Sequence, residues 1–321
     1  MTRIATYGQS QILLGDVLRN EQRVFDGQRA VTSGIREKDY KGFAIDVTTI
    51  AGAKNLKKAA ESFQHDNDQV MRRLDLYDIN LNAMRDIAQG LRDDVLAAIN
   101  GNTGVALRQK IDDYVTSAVS LLDTRDNSRY IFSGSFTDQS PVKAAANTPA
   151  GLATITNDVT TNPEDVFSNN DVKAQARLDD ALSMTYGVVA SDVSDELMEA
   201  FRRLMRYDDN TELFGFATGG PIGQPMTEDQ RNFLMGEIDR LNAAIQDINE
   251  AQATNGVHQR TVEDTQNRLS DNVTFITIFI SDIEEADMGV AVSRLQQDQL
   301  ALDASFRMLG QLARISLLDF I

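Results

Sequence analysis

The clearest pattern in the chain is a run of apolar residues near its C-terminus with alternating gaps of four and three. Met288, Val292, Leu295, Gln299, Leu302, Phe306, Leu309, Ala313, Ser316 and Phe320 form this seam, and all but Gln299 and Ser316 are apolar. Such spacing is a heptad repeat and predicts a helix that packs along one side against another. A lone helix of this kind is poorly stable in water, so the pattern calls for a partner. Residues 4–32 repeat the theme more weakly, with Tyr7, Gln11, Leu14, Leu18, Glu21 and Phe25 as the seam and Ile4, Leu13, Val17 and Val24 widening it. Gly8, Gly15 and Gly27 lower the intrinsic helix propensity, so packing must stabilise this helix. Thr32-Ser33-Gly34 reads as its end. The helices at the two extremities are expected to pair with each other or to share one bundle.

Residues 35–54 are irregular, with a helix predicted to begin near Ala44. A strong helical pattern follows to about Ile99, marked by Val70, Leu74, Tyr77, Leu81, Met84, Leu91 and Val95. Asn100 to Gly104 reads as a turn, and Val105 to about Ser128 as the second arm of a helical hairpin. Arg129 to Asp138 then predicts a strand and turn, and 139–171 shows little periodicity. Residues 172–190 alternate about Asp179-Asp180, a β-hairpin signal. Residues 192–207 return to helix, with Ser194 as its expected N-cap. After a Gly/Pro loop, Thr227 and Gln230 have the spacing of a capping box, opening a helix past Leu234, Leu241 and Ile248 in which Gly256 is a weak point. The β-branched stretch 273–280 keeps helical spacing at Val273, Ile276 and Ile280, and is predicted helical. The fold class is therefore mainly α: a long antiparallel helical bundle built from both chain ends, with a small β-rich insertion in the middle. Residues 1–141 form the N-terminal helical domain, 142–190 the insertion, and 191–321 the C-terminal helical domain.

Charge narrows the partners. The net charge is −17, although residues 1–60 carry ten basic and six acidic side chains. So acidic a chain repels phosphate and argues against nucleic acid. The absence of cysteine excludes disulfides and thiolate metal sites. No 18-residue apolar run predicts a membrane span, and the first twenty residues do not read as a cleaved secretory signal.

Site chemistry is sparse. His65 and His258 lie in no His-Glu-x-x-His pattern, and the pairs Asp93-Asp94, Asp112-Asp113, Asp179-Asp180 and Asp208-Asp209 lack calcium-loop spacing. The acidic pairs are expected to be solvated helix and turn charges. No nucleophile elbow, phosphate loop or dinucleotide fingerprint occurs. The reading is of a chain with no catalytic residue, cofactor or metal.

The run Ser281-Asp282-Ile283-Glu284-Glu285-Ala286-Asp287, followed by Leu295, Gln296, Gln297 and Gln299, resembles the C-terminal domain of the bacterial flagellin family. Ser33-Gly34 matches that family's element after its first helix. Arg129-Tyr130-Ile131-Phe132-Ser133-Gly134, with Thr137 and Pro141, looks like the hook-associated members that join hook to filament, as does the close Ser316 to Ile321. The likeness covers about 1–141 and 190–321. Within Asp39 to Ile45, the residues Gly42, Ala44 and Ile45 match filament flagellins instead, so a filament flagellin is the alternative. The resemblance implies a structural protein of the flagellum, exported unfolded and lying outside the cell. Its implied partners are copies of itself, other axial proteins (hook-associated proteins and flagellin) and a flagellar export chaperone, with no membrane or nucleic acid. It further implies that the terminal helices pack into the inner layers of a tube, where Leu14, Leu18, Phe25, Leu302, Phe306, Leu309 and Phe320 are the expected packing residues. An alternative of another class is a soluble coiled-coil binding module, which needs no polymer.

Overall fold

The computed structural model describes residues 2–35 and 47–318. The expected helix start at Ala44, the Asp39 to Ile45 run and the packing residue Phe320 lie outside the described residues, as do the side chains of Ile4, Tyr7, Ala313 and Ser316. Seven helices are described: α1 (Thr2–Ser33), α2 (Val47–Gly101), α3 (Leu107–Leu122), α4 (Pro149–Thr154), α5 (Ala190–Asp208), α6 (Glu228–Glu284) and α7 (Met288–Leu318). Two antiparallel hairpins complete the set, β1 (Arg125–Asp126) with β2 (Arg129–Tyr130) and β3 (Ala174–Arg177) with β4 (Ser183–Tyr186). The chain divides into a terminal unit, Met1–Ala60 with Asp271–Ile321, and a central unit, Glu61–Ser270.

The central unit is held by two heptad seams. On α2 the covered positions are Val70, Leu74, Tyr77, Leu81, Met84, Ala88, Leu91, Val95 and Ala98, with gaps of four and three throughout. On α6 the line is Leu234, Glu237, Leu241, Ala244, Ile248, Ala251, Asn255, His258, Val262, Thr265 and Leu269, all buried or half-buried. The two run antiparallel. Asn255 Nδ2 donates to the Leu74 carbonyl at 2.9 Å, and Gln266 Nε2 reaches Asp68 Oδ1 at 2.6 Å. This sustained seam carries α6 through Gly256 without a break, where the sequence suggests a weak point. α3 packs through Ile111, Val115 and Leu122, and α5 through Leu197, Phe201 and Leu204. Leu152, Val159 and Phe167 of the middle insertion join the same core rather than making one of their own, as expected for a segment too short to bury much surface. The β3–β4 hairpin covers a smaller cluster with Leu178, Met184 and Tyr186 against Val70, Leu74 and Val262. Its register, Ala174 to Tyr186 and Arg177 to Ser183, turns about the predicted Asp179-Asp180.

Two helix boundaries differ from expectation. α3 stops at Leu122 rather than near Ser128. Asn127 and Ser128 take φ of +47° and +68°, the left-handed pair of a tight hairpin turn, which reverses β1 into β2. Tyr77 anchors the exit: its hydroxyl donates to the Ile131 carbonyl at 2.6 Å and its ring meets Phe132 edge-on. α5 begins at Ala190, so Ser194 is not an N-cap. It lies buried inside the helix, and its hydroxyl donates back to the Ala190 carbonyl at 2.6 Å. The capping box is present: Thr227 Oγ1 accepts from the Gln230 amide at 3.2 Å, and Gln230 Oε1 accepts from the Thr227 amide at 3.1 Å. Thr227→Ala is expected to destabilise the central unit by about 1 kcal/mol, read by denaturant unfolding.

Polar groups on α5 tie it to its surroundings. Burial pushes the Asp195 carboxyl up to about 6, with Glu196, Asp247 and Asp192 adding repulsion. A carboxyl with a raised folded value binds its proton more tightly in the native state. The resulting stabilisation is present below its ordinary 3.8 and is lost as pH rises through about 6. Asp195→Asn should therefore raise the melting temperature at pH 7 and flatten the fall in stability between those values. An unchanged melting temperature at pH 7 would count against this account.

Candidate subunit-joining surface

Within the terminal unit, α1 and α7 pack antiparallel. Asn20 Nδ2 donates to Ser305 Oγ at 2.9 Å, and the Ala286 amide donates to the Gly34 carbonyl at 2.8 Å beside a bridge between Ile35 and Glu285. Gly27 permits the close approach: a Cβ there would stand 3.3 Å from Leu295 Cδ1. α7 starts cleanly because Asp287 Oδ1 accepts the Gly289 and Val290 amides. Below this pair, Ile50 and Ala53 of α2 are buried, and Lys54 Nζ reaches Glu284 Oε1 of α6 at 2.5 Å.

The covered face of each helix is a heptad line; on α7 it shares Leu295, Leu302 and Leu309 with the seam predicted, while on α1 it runs beside that seam. On α1 the covered or half-covered positions are Leu13, Val17, Asn20, Val24, Gly27 and Val31. On α7 they are Ala291, Leu295, Asp298, Leu302, Ser305 and Leu309. Of the expected packing residues, Leu302 and Leu309 thus sit half-buried in the intramolecular seam. Leu14, Leu18, Phe25 and Phe306 do not: they are 52%, 58%, 60% and 51% exposed. The smaller residues Gly27, Asn20 and Ser305 set the closest approach of the two helices, and a satisfied polar pair at that approach avoids an orphaned group. The larger apolar side chains stand one helical position away, on the open flank.

The open flank is extensive. Ile12, Leu14, Leu18 and Phe25 continue along α1; Met288, Val292 and Phe306 lie beside the seam on α7, and Val290, Leu300 and Met308 on its back. In the same unit, Phe275 and Ile278 of α6 and Leu56 of α2 are exposed. A helix apolar on most sides belongs in an interior. Contiguous apolar surface on this scale marks an interaction site. The charge agrees. Residues 1–60 carry +4 and residues 271–321, with three basic and eight acidic side chains, carry −5, leaving the terminal unit at −1. The central unit holds the remaining −16.

The chemistry of the other candidates is structural. His65 is exposed; His258 is half-buried, its basicity lowered by burial and by Lys173 nearby. Among the described residues, no three His, Cys, Asp or Glu side chains gather to hold a metal, and no helix is long and apolar enough to cross a membrane. The acidic pairs are more engaged than solvated charges. Asp94 accepts from Lys110 at 2.5 Å and from the Tyr114 hydroxyl at 3.0 Å. Asp209 pairs with Arg108 at 2.6 Å, and Asp179 accepts the Ala181 and Leu182 amides that close the β3–β4 turn. Sequence reasoning passed over Glu199 and Arg202, which are buried together on α5. Their i, i+3 spacing was visible, but only the fold shows that both are buried.

Comparison with known proteins finds a likeness over the C-terminal helices and a likeness of fold. The model of the bacterial flagellin C-terminal helical region matches residues 238–321, which take in all of α6 but its first ten residues, and all of α7. That C-terminal quarter of the chain is similar to the bacterial flagellin C-terminal helical region. No curated protein matches the sequence. Among solved structures, that of a putative flagellar hook-associated protein from Vibrio parahaemolyticus superposes with a TM-score of 0.61 at 12% identity, covering 76% of this chain and 100% of that one. FlgL of Bacillus cereus superposes with a TM-score of 0.53 at 12% identity, covering 73% of this chain and 99% of that one. At such identity these likenesses establish a shared fold and nothing more.

Proposed function

We propose that this chain is a flagellin-family, hook-associated junction protein, joining hook and filament by self-assembly through its terminal helices. The observation that carries the reading is the open apolar flank of α1 and α7. A monomer covers one heptad line on each helix and leaves the adjacent one bare; another copy of the chain, or a related axial protein, covers it. Leu14, Leu18, Phe25, Phe306 and, beyond the described residues, Phe320 make those contacts between subunits, while Leu302 and Leu309 serve the intramolecular seam. Contacts between unlike faces of copies, repeated without closing, generate tubes and filaments. The central unit carries −16 and includes residues 142–190, the insertion that this reading places on the outer face of the tube. The role is mechanical. Export through the flagellar channel with the help of a chaperone, and a place outside the cell, follow from membership of the axial structure. Deleting the gene tests the assignment: hooks should persist without filaments, and unassembled flagellin should appear in the medium. Normal filaments on the mutant would remove the junction role. A label along the whole filament, rather than in one narrow ring, would point to a filament flagellin.

A further inference from the structure

A cleft of about 430 Å³ opens between α5, α6 and the loop that carries Phe214 and Phe216, wholly within the central unit. Three features meet there that the packing of the fold does not require. The first is the carboxylate of Glu237, 2% exposed. Its Oε1 accepts from Arg203 Nε at 2.7 Å, but its Oε2 accepts no hydrogen bond from the described residues. Arg240 Nε stands 3.8 Å from that oxygen, and Arg240 Nη1 is already engaged with Glu196 Oε2 at 2.5 Å. A buried carboxylate oxygen without a donor is a standing cost that calls for an explanation. The second is Gly236, in the interior of α6, where a glycine weakens a helix by about 1 kcal/mol relative to alanine. A Cβ at this position would meet nothing within 4 Å, so no neighbour in the protein demands glycine. The third is Phe214, a bulky residue held at φ of +46° ahead of Gly215 at +87°. Side chains of this kind rarely adopt that conformation, and such strain gathers at binding sites.

The walls indicate the chemistry. Phe233 is stacked on Tyr207 at 3.9 Å, and Arg203 covers the ring of Phe214 at 4.2 Å. Phe216 stands perpendicular to both Tyr207 and Phe233, half-buried at the cleft, and no cation among the described residues lies over its ring. An aromatic face beside a carboxylate oxygen lacking a donor suits a positively charged group. Around the cleft, Glu196, Glu237 and Asp239 outnumber Arg203 and Arg240. The surrounding unit, at −16, favours the approach of a basic partner over that of another acidic copy. A single water could satisfy Oε2, but it would account for neither Gly236 nor Phe214.

We propose that this cleft receives a lysine or arginine side chain from a basic partner protein, its cation donating to Glu237 Oε2 and lying against Phe216, with the partner's backbone passing over Gly236. The proposal is independent of where in the flagellum the chain resides. The test is a titration of the full-length protein with acetyl-arginine-amide and acetyl-lysine-amide, followed by the amide signals of Phe216 and Gly236. The neutral analogue acetyl-citrulline-amide is the control. Saturable shifts are expected for the cationic compounds, with affinity about tenfold weaker for citrulline and for Glu237→Gln. Gly236→Leu, which places a side chain in the cleft, should abolish the shifts while leaving the melting temperature equal or higher. It decides the matter if Glu237→Gln fails to fold. Equal affinity for citrulline, shifts that do not saturate, or binding that survives Gly236→Leu would each overturn the proposal.

Discussion

Removal of residues 300–321 is expected to abolish self-association of the chain while leaving the unfolding of the central unit unchanged to within about 0.5 kcal/mol. The deleted stretch contains Leu302, Ser305 and Leu309 of the seam with α1 and Leu300, Phe306 and Met308 of the open flank. Without it, α1 loses its cover opposite Leu13 to Asn20 and cannot present Leu14 and Leu18 in order. A finer version separates the two roles. Phe306→Asp leaves the α1–α7 seam alone, because Phe306 is exposed, but sets a carboxylate where a second copy would bury it. Sedimentation and electron microscopy of nucleated assembly should show loss of polymer for both variants. Helix content should be kept in Phe306→Asp and reduced in the truncation. If the truncated chain assembles as well as the full one, the terminal helices do not join subunits, and a soluble coiled-coil module becomes the better reading.

Glu199→Ala should be the most damaging single change in the central unit, at about 3–5 kcal/mol. Glu199 is fully buried and holds Arg202 through both carboxylate oxygens at 2.7 Å. It also accepts the Val159 amide at 2.9 Å, and Arg202 Nη1 lies within reach of the Ile155 and Thr156 carbonyls at 3.3 and 3.4 Å. The pair therefore pins the irregular insertion segment to α5. Alanine would leave a guanidinium with almost no access to water and an amide without an acceptor. Replacing both charges, as Glu199→Leu with Arg202→Met, removes the orphaned charge and should recover much of the loss. Denaturant unfolding of the two variants checks this. A single variant within about 1 kcal/mol of the parent would show that water reaches the site.

The helices of the central unit were legible because their faces repeat with a period that packing enforces. From Val70 to Ala98 and from Leu234 to Leu269 a one-sided pattern left little choice. The terminal unit was harder for the opposite reason. α1 and α7 carry two neighbouring lines with apolar residues each, and Leu14, Leu18, Phe25 and Phe306 stand on the lines that α1 and α7 leave open. Spacing shows that helices meet; it does not show which line meets which partner. Gly27 against Leu295 and Asn20 against Ser305 settle that, and both depend on pairing across more than 260 residues. The end of α3 was misplaced because Asn127-Ser128 needs tertiary support from Tyr77 and Phe132 to turn so tightly. The cleft beside Glu237 had no signal in the sequence, since its residues come from positions 196 to 243.

Neighbouring greasy lines on one rod have a consequence for growth. On the proposed reading, a newcomer that settles on the bare line of α1 or α7 brings an identical bare line of its own. Each arrival recreates the landing place it has just used. The helices themselves therefore cannot tell the structure when to stop; only a ring that closes on itself, or a differently shaped neighbour above or below, can do that.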